Sequence, residues 1–298
     1  MDTGAPAFIG GFEERIVATV DELALYVRDY PPLLPVTGLP VICLHGLTRN
    51  SRDFEVIAPR IAALGRRVLA MDVRGRGKSA NDPDPAHYVP AVYAQDVVSM
   101  MDALEAPRAV FLGTSMGGLI TMVLAMTAPE RIAASILNDV GHRLNPEGLA
   151  RIASYVGGGR PVESWAQAEE ACRAIAGDVF PSKLDDALFW ARFARRIFRE
   201  REDGLIETDY DPHIALAFAD ASDAPAPDLS PLFQALARQP LLSVRGGLSD
   251  ILTPEIVAEM RALKPDLEAV TVENVGHAPL LDEPEAWDAI LDFLARVE

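Results

Sequence analysis

The chain has 298 residues, 49% hydrophobic and 24% charged, a length and composition that can bury a large α/β core. Its 27 basic against 44 acidic residues give a net charge of −17, which speaks against nucleic acid as a partner, because a phosphate backbone calls for a basic surface. Two cysteines, Cys43 and Cys172, supply neither a disulfide framework nor metal-ligand spacing. No basic segment followed by an apolar run opens the chain, and no uncharged apolar stretch reaches membrane-spanning length. The expectation is a cytoplasmic protein with no membrane partner.

In chain order, Ile16 to Val20 and Leu23 to Val27 read as antiparallel strands around a turn at Asp21-Glu22. Pro40 to His45 reads as a buried strand running into His45-Gly46-Leu47-Thr48-Arg49-Asn50-Ser51, with helical periodicity from Phe54 to Leu64. Arg67 to Met71 is a second buried strand, ending in Asp72-Val-Arg-Gly-Arg-Gly-Lys-Ser79, and Tyr93 to Leu104 reads as a helix. Ala109 to Leu112 has the composition of a fully buried strand. It runs into Gly113-Thr114-Ser115-Met116-Gly117, which fits G-x-S-x-G, and then into an apolar helix. So sharp a strand-to-helix turn strains its central residue and leaves no room for side chains at Gly113 and Gly117. Ile132 to Leu137 is the next strand, ending at Asn138-Asp139.

Strands alternating with helices predict a mostly parallel, doubly wound sheet. The rhythm breaks between His142 and Asp228, where no segment reads as a strand. Four helical segments are predicted there: Pro146 to Tyr155, Pro161 to Ile175, Lys183 to Arg199 and Pro212 to Ala221. It resumes with strand Leu241 to Arg245, helix Pro254 to Leu263, strand Ala269 to Val272 and helix Pro284 to Val297. The expected organisation is a core of residues 1–141 and 229–298, with a helical lid, 142–228, inserted after the sixth strand. Such a lid would cover the carboxyl ends of the strands, where α/β sheets bind ligands.

A serine at such an elbow becomes a nucleophile only if a base takes its proton and a carboxylate holds the base. His277, in Val275-Gly276-His277-Ala278-Pro279, follows the last strand. Asp250 lies in a loop that Thr253 and Pro254 cap into a helix. Serine, acid, histidine, each after a predicted strand, gives a candidate triad of Ser115, Asp250 and His277. Asp139 is the alternative acid, placed second because it lies where the chain leaves the sheet for the lid. The developing oxyanion needs donors, expected from the backbone N–H groups of Met116 and Leu47. His45 reads as a packing and loop-shaping residue, and His87, His142 and His213 as surface or loop residues.

These motifs together resemble the α/β-hydrolase superfamily, in the branch with a helical cap after the sixth strand, over nearly the whole chain. The resemblance rests on His45-Gly46, the D-x-R-G-x-G-x-S segment from Asp72 to Ser79, the Ser115 elbow, Gly247-Leu-Ser-Asp250 with Pro254, and Gly276-His277. It implies the α/β-hydrolase fold and a cofactor-free, metal-free serine hydrolase working through an acyl-enzyme on Ser115. The expected substrate is a small-molecule carboxylic ester or lactone. Some members of the superfamily take their acid from after the sixth strand. Dehalogenases and epoxide hydrolases of this fold use aspartate at the elbow, which Ser115 disfavours. Carbon–carbon bond hydrolysis of ring-cleavage products and perhydrolysis use the same triad and stand as alternatives, as does a slow-turnover receptor.

The predicted helix from Lys183 to Arg199 carries a broad apolar face with Trp190 and Phe193, and Arg192, Arg195, Arg196 and Arg199 among it. The principal reading is core packing with a solvated arginine edge against Asp185, Asp186 and Glu200. The sharper one sets Trp190, Phe193 and Arg49 against the substrate, with an arginine gripping a carboxylate. A monomer or a homodimer is expected.

Overall fold

The computed structural model describes residues 11–219 and 228–297. An eight-stranded sheet runs through the molecule. Its strands are β1 (Glu13–Ala18), β2 (Ala24–Tyr30), β3 (Val41–Leu44), β4 (Val68–Met71), β5 (Ala109–Thr114), β6 (Ile132–Asn138), β9 (Leu241–Gly246) and β10 (Glu268–Val272), in the order β1-β2-β4-β3-β5-β6-β9-β10. β1 and β2 pair antiparallel, β2 is antiparallel to β4, and every pairing from β4 onward is parallel. β3, β4 and β6 are buried at every position, β3 and β4 as their unbroken apolar runs require, since helices cover both faces, and β6 with Ser135 and Asn138 buried among apolar residues.

One face packs on α1 (Ile57–Ala62) and α10 (Pro284–Arg296), through Ile57, Ile61, Ile290 and Phe293. The other packs on α2 (Pro90–Ala103), α3 (Met116–Thr127), α8 (Ser230–Leu236) and α9 (Pro254–Leu263), through Val97, Ile120, Phe233 and Ile256. The first hairpin is shifted from its predicted span. Its turn closes through the Leu23 N–H donating to Thr19 Oγ1 at 2.9 Å, with Glu22 at φ 65°. α8 lay outside the sequence reading; a seven-residue helix shows too little periodicity to be seen.

Between β6 and β9 the chain forms α4 (Pro146–Tyr155), α5 (Trp165–Ala176), α6 (Ala187–Ile197) and α7 (Ile214–Ala219). It also forms two strands that were not foreseen, β7 (Phe198–Glu200) and β8 (Ile206–Thr208), a separate antiparallel pair. Three-residue strands carrying Arg199, Glu200 and Glu207 have no alternation to read. α6 is shorter than predicted at both ends: Asp186 accepts from the Phe189 N–H at 2.9 Å as its N-cap, and Phe198 already has extended backbone. The predicted end of the α7 segment, Ala221, lies outside the described residues.

The inserted segment is tied to the sheet by polar contacts. Asn50 Nδ2 and Arg52 Nη2 both donate to the Arg196 carbonyl, at 2.9 and 3.1 Å, and Arg52 also pairs with Asp209 at 2.6 Å.

Candidate active site

β5 ends at the elbow. Ser115 sits at φ 50°, ψ −112°, a backbone conformation disfavoured for a residue with a side chain and costing about 1–3 kcal/mol. A Cβ on Gly113 would lie 2.5 Å from the Gly117 carbonyl carbon, and one on Gly117 would lie 2.0 Å from the Leu44 carbonyl oxygen. Neither backbone atom can yield, so both positions must be glycine for β5 and α3 to pack this closely. The strained residue is held by its own N–H, which donates to the Asn138 carbonyl at 2.9 Å.

His277 lies in the loop after β10. Its Nε2 is 2.9 Å from Ser115 Oγ and its Nδ1 is 2.8 Å from Asp139 Oδ2. A carboxylate only accepts, so Nδ1 carries the proton and Nε2 turns a lone pair toward the serine hydroxyl. The loop is placed by Asn138 Nδ2, which donates to the Pro279 carbonyl at 2.9 Å and to Thr114 Oγ1 at 3.0 Å.

The carboxylate facing His277 is thus Asp139, not Asp250. Asp139 follows β6 at φ 57° and is fully buried. Its Oδ1 accepts from the Gly246 N–H at 2.8 Å, and its Oδ2 from the Ser249 hydroxyl at 2.5 Å as well as from His277. Asp250, one residue past Ser249, instead pairs with Arg151 of α4, whose Nη2 donates to Oδ1 at 2.8 Å. Its side chain is 32% exposed. Burial works against its charge, but the Arg151 guanidinium outweighs that and holds its pKa below the ordinary carboxylate value.

The residues expected to donate to the oxyanion are Met116 and Leu47. Met116 opens α3, so its N–H has no partner inside the helix. Neither it nor the Leu47 N–H makes a hydrogen bond among the described residues. The peptide carrying the Leu47 N–H is held through its oxygen, Gly46 O, which accepts from the Arg49 N–H at 3.2 Å and from His45 Nδ1 at 2.7 Å. His45 Nε2 in turn accepts from the Val73 N–H at 3.0 Å, so this buried ring is neutral with its proton on Nδ1. Burial pushes its pKa down to about 4. His45 is therefore the loop-shaping residue expected of it. The same loop is braced by Arg76, whose Nε donates to the Leu47 carbonyl at 2.9 Å.

Above Ser115 and His277 lies a cavity of about 310 Å³. Its walls come from the loop Gly46 to Arg49 and from the inserted helices: Ile152 and Tyr155 of α4, Cys172 and Ile175 of α5, Phe193 and Ile197 of α6. Phe193 and Arg49 line it, with the Arg49 guanidinium 4.6 Å from the Phe193 ring centre. Trp190, expected to touch substrate, does not line it. The indole is fully buried, edge-on to Phe193, and its Nε1 donates to the Lys183 carbonyl at 2.8 Å. A ring of that size on the apolar stripe of α6 contributes more by complete burial than by facing an open cavity.

The arginines of this stretch also point elsewhere. Arg196 pairs with Glu55, Arg199 with Glu207 and Asp209, and Arg195 stacks on Trp165, rather than on the acidic neighbours expected from sequence. His142 lies in a loop and is buried there, 3.1 Å from Glu259. Among the described residues, His87 with Asp21 and Asp82 is the one grouping with metal-ligand proximity, and Arg74 already pairs with both aspartates.

The sequence and fold of this chain are matched by known proteins. The sequence model described as alpha/beta hydrolase fold matches residues 40–284. An alpha/beta hydrolase of Novosphingobium aromaticivorans, known from its crystal structure, is 45% identical with a TM-score of 0.89, over 97% of this chain and all of that one. A 3-hydroxybutyrate-oligomer hydrolase of Cupriavidus necator is 34% identical over 84% of this chain and 86% of its own length. An N-formylmaleamate deformylase of Pseudomonas putida is 28% identical over 86% of this chain and 89% of its own. The chain belongs to the alpha/beta hydrolase fold family and is a hydrolase.

Proposed function

We propose that the protein is a serine hydrolase of small carboxylic esters, lactones included, acting through an acyl-enzyme on Ser115. The observation that carries this reading is the unbroken relay Ser115 Oγ to His277 Nε2 to His277 Nδ1 to Asp139, at 2.9 and 2.8 Å, opening into a mostly apolar cavity. The Cupriavidus relative, named for hydrolysing oligomers of a hydroxy acid, supports ester bonds as the target.

Ser115 Oγ attacks the ester carbonyl as its proton passes to His277 Nε2. Asp139 stabilises the imidazolium so formed and keeps the ring in the tautomer that accepts at Nε2. Negative charge gathering on the carbonyl oxygen is met by the N–H groups of Leu47 and Met116, which make no hydrogen bond among the described residues. His277 then gives its proton to the departing alkoxide, leaving Ser115 acylated. A water, deprotonated by the same nitrogen, attacks the acyl carbonyl and releases the acid. The inserted helices serve as the lid, shaping the acyl pocket with Ile152, Ile175 and Phe193.

An activated aryl ester tests this. Wild-type protein should release one equivalent of phenol in a burst, and Ser115→Ala should give none while unfolding at the same temperature. Residual turnover within tenfold of wild type in that variant would remove Ser115 from the role of nucleophile.

A further inference from the structure

The cavity lining is mostly apolar, and the part of its wall around Tyr155 carries arginines, with Asp53 the one lining carboxylate, already paired with Arg49. Arg49, Arg151 and Arg160 all line the cavity together with Tyr155. Arg49 is held by Asp53, with Nε 2.8 Å from Oδ2 and Nη2 on Oδ1. Arg151 is held in the same way, Nε and Nη2 on the two oxygens of Asp250. In both, the aspartate occupies the Nε–Nη2 edge of the guanidinium.

A guanidinium has five N–H groups, and such a pairing uses one edge only. Nη1 of each arginine makes no hydrogen bond among the described residues, and neither is among the buried atoms left without a partner. Each therefore keeps its free end in reach of solvent-accessible space, with its orientation already set by the aspartate. The Tyr155 phenol lies within the field of both guanidiniums, and burial keeps it in the protonated, donor form. Arg160, exposed at the end of the Gly157-Gly158-Gly159 loop, makes no ion pair among the described residues and adds a charge at the rim.

We propose that this wall is a carboxylate subsite: Arg151 and Arg49 present their free guanidinium ends, with the Tyr155 hydroxyl, to an anionic group at the far end of the acyl chain carried on Ser115. The preferred substrate is thus an ester of a dicarboxylic or similarly anionic acid. The planar fork suits a carboxylate, and holding it in advance lowers the ordering cost of binding. Asp250 acts as a positioning residue for Arg151. The proposal rests on the esterase reading above.

The test compares 4-nitrophenyl hexanoate with the 4-nitrophenyl monoester of adipic acid, which matches it in chain length and differs in ending in a carboxylate. Wild-type kcat/KM should favour the adipate ester by about tenfold or more, and Arg151→Met should reduce that ratio by about 10- to 100-fold, mainly through KM. Arg151→Lys, keeping charge without the fork, should fall between. Calorimetry of adipate binding to Ser115→Ala provides a readout without turnover: adipate should bind well and hexanoate poorly, with the difference shrinking at high salt. Equal kcat/KM for the two esters, or a ratio unchanged in Arg151→Met, overturns the subsite. Absence of Ser115-dependent hydrolysis of both esters defeats the esterase reading instead, and adipate binding to Ser115→Ala then still decides whether the anion site exists.

Discussion

Asp139 and Asp250 follow neighbouring strands, β6 and β9, at the same end of the sheet, yet they sit in opposite environments. Asp139 is sealed from water and receives three donors, Gly246 N–H, Ser249 Oγ–H and His277 Nδ1–H. Asp250 is one-third exposed and receives an arginine from α4. The first arrangement holds a carboxylate still against an imidazole in a site of low dielectric. The second is a strut between the sheet and the inserted helices. The difference teaches that the site at a strand end is decided by the donors that converge there, not by the strand end itself. The β9 loop still serves the site, since it supplies Gly246 and Ser249 to Asp139.

The largest expected effect breaks the relay at its centre. His277→Ala should reduce kcat for an activated ester by about 10⁶, as much as loss of Ser115, because the members of such a unit fail together. A loss below a hundredfold would show that another base serves Ser115.

The two aspartates should then separate clearly. Asp139→Asn should lower kcat by about 10⁴, on the scale of a triad acid converted to its amide. Asp250→Asn should cost less than about tenfold on a neutral ester. Steady-state kinetics with 4-nitrophenyl hexanoate reads both, and a reversed order would return the acid to the β9 loop.

Ser249→Ala sharpens the comparison by removing one of the three donors. A hydrogen bond to a charged group contributes about 1.5–3 kcal/mol, so kcat should fall about 10- to 100-fold with KM little changed. No change would mean that the hydroxyl is dispensable to Asp139.

A smaller effect belongs to stability. The pKa of His45, about 4 in the folded protein, is below the ordinary value of about 6.5. The unfolded chain therefore binds this proton first. The stabilisation is fully present above about pH 6.5 and is lost as pH falls through about 4. Between those limits His45 should contribute a slope of up to about 1.4 kcal/mol per pH unit. Urea unfolding at several pH values should show that slope reduced in His45→Gln; identical slopes would mean the ring titrates normally when folded.

Most of the fold was legible because parallel strands buried on both faces are near-continuous apolar runs; Val41–Leu44 and Val68–Met71 are unbroken, and Ile132–Asn138 is interrupted only by Ser135 before its polar end at Asn138. The elbow was legible for a stricter reason: only glycine fits at Gly113 and Gly117. The acid was not, because two aspartates follow strands of the same sheet and no local pattern reports which one the histidine loop meets. One signal was present in Ser249, a hydroxyl placed to bind a neighbouring carboxylate. Trp190 was misplaced because helical periodicity shows that a face is covered, without showing whether protein or ligand covers it. The arginine wall was hidden for a related reason: Arg49 and Arg151 are far apart in the chain, and the inserted helices alone bring them to one cavity.

The pairing of His277 with Asp139 is tested most directly by the proton on His277 Nδ1. Proton NMR should show a far-downfield resonance for that N–H in wild-type protein and in Asp250→Asn, and its loss or upfield shift in Asp139→Asn. A resonance that survives in Asp139→Asn and disappears in Asp250→Asn would contradict the account.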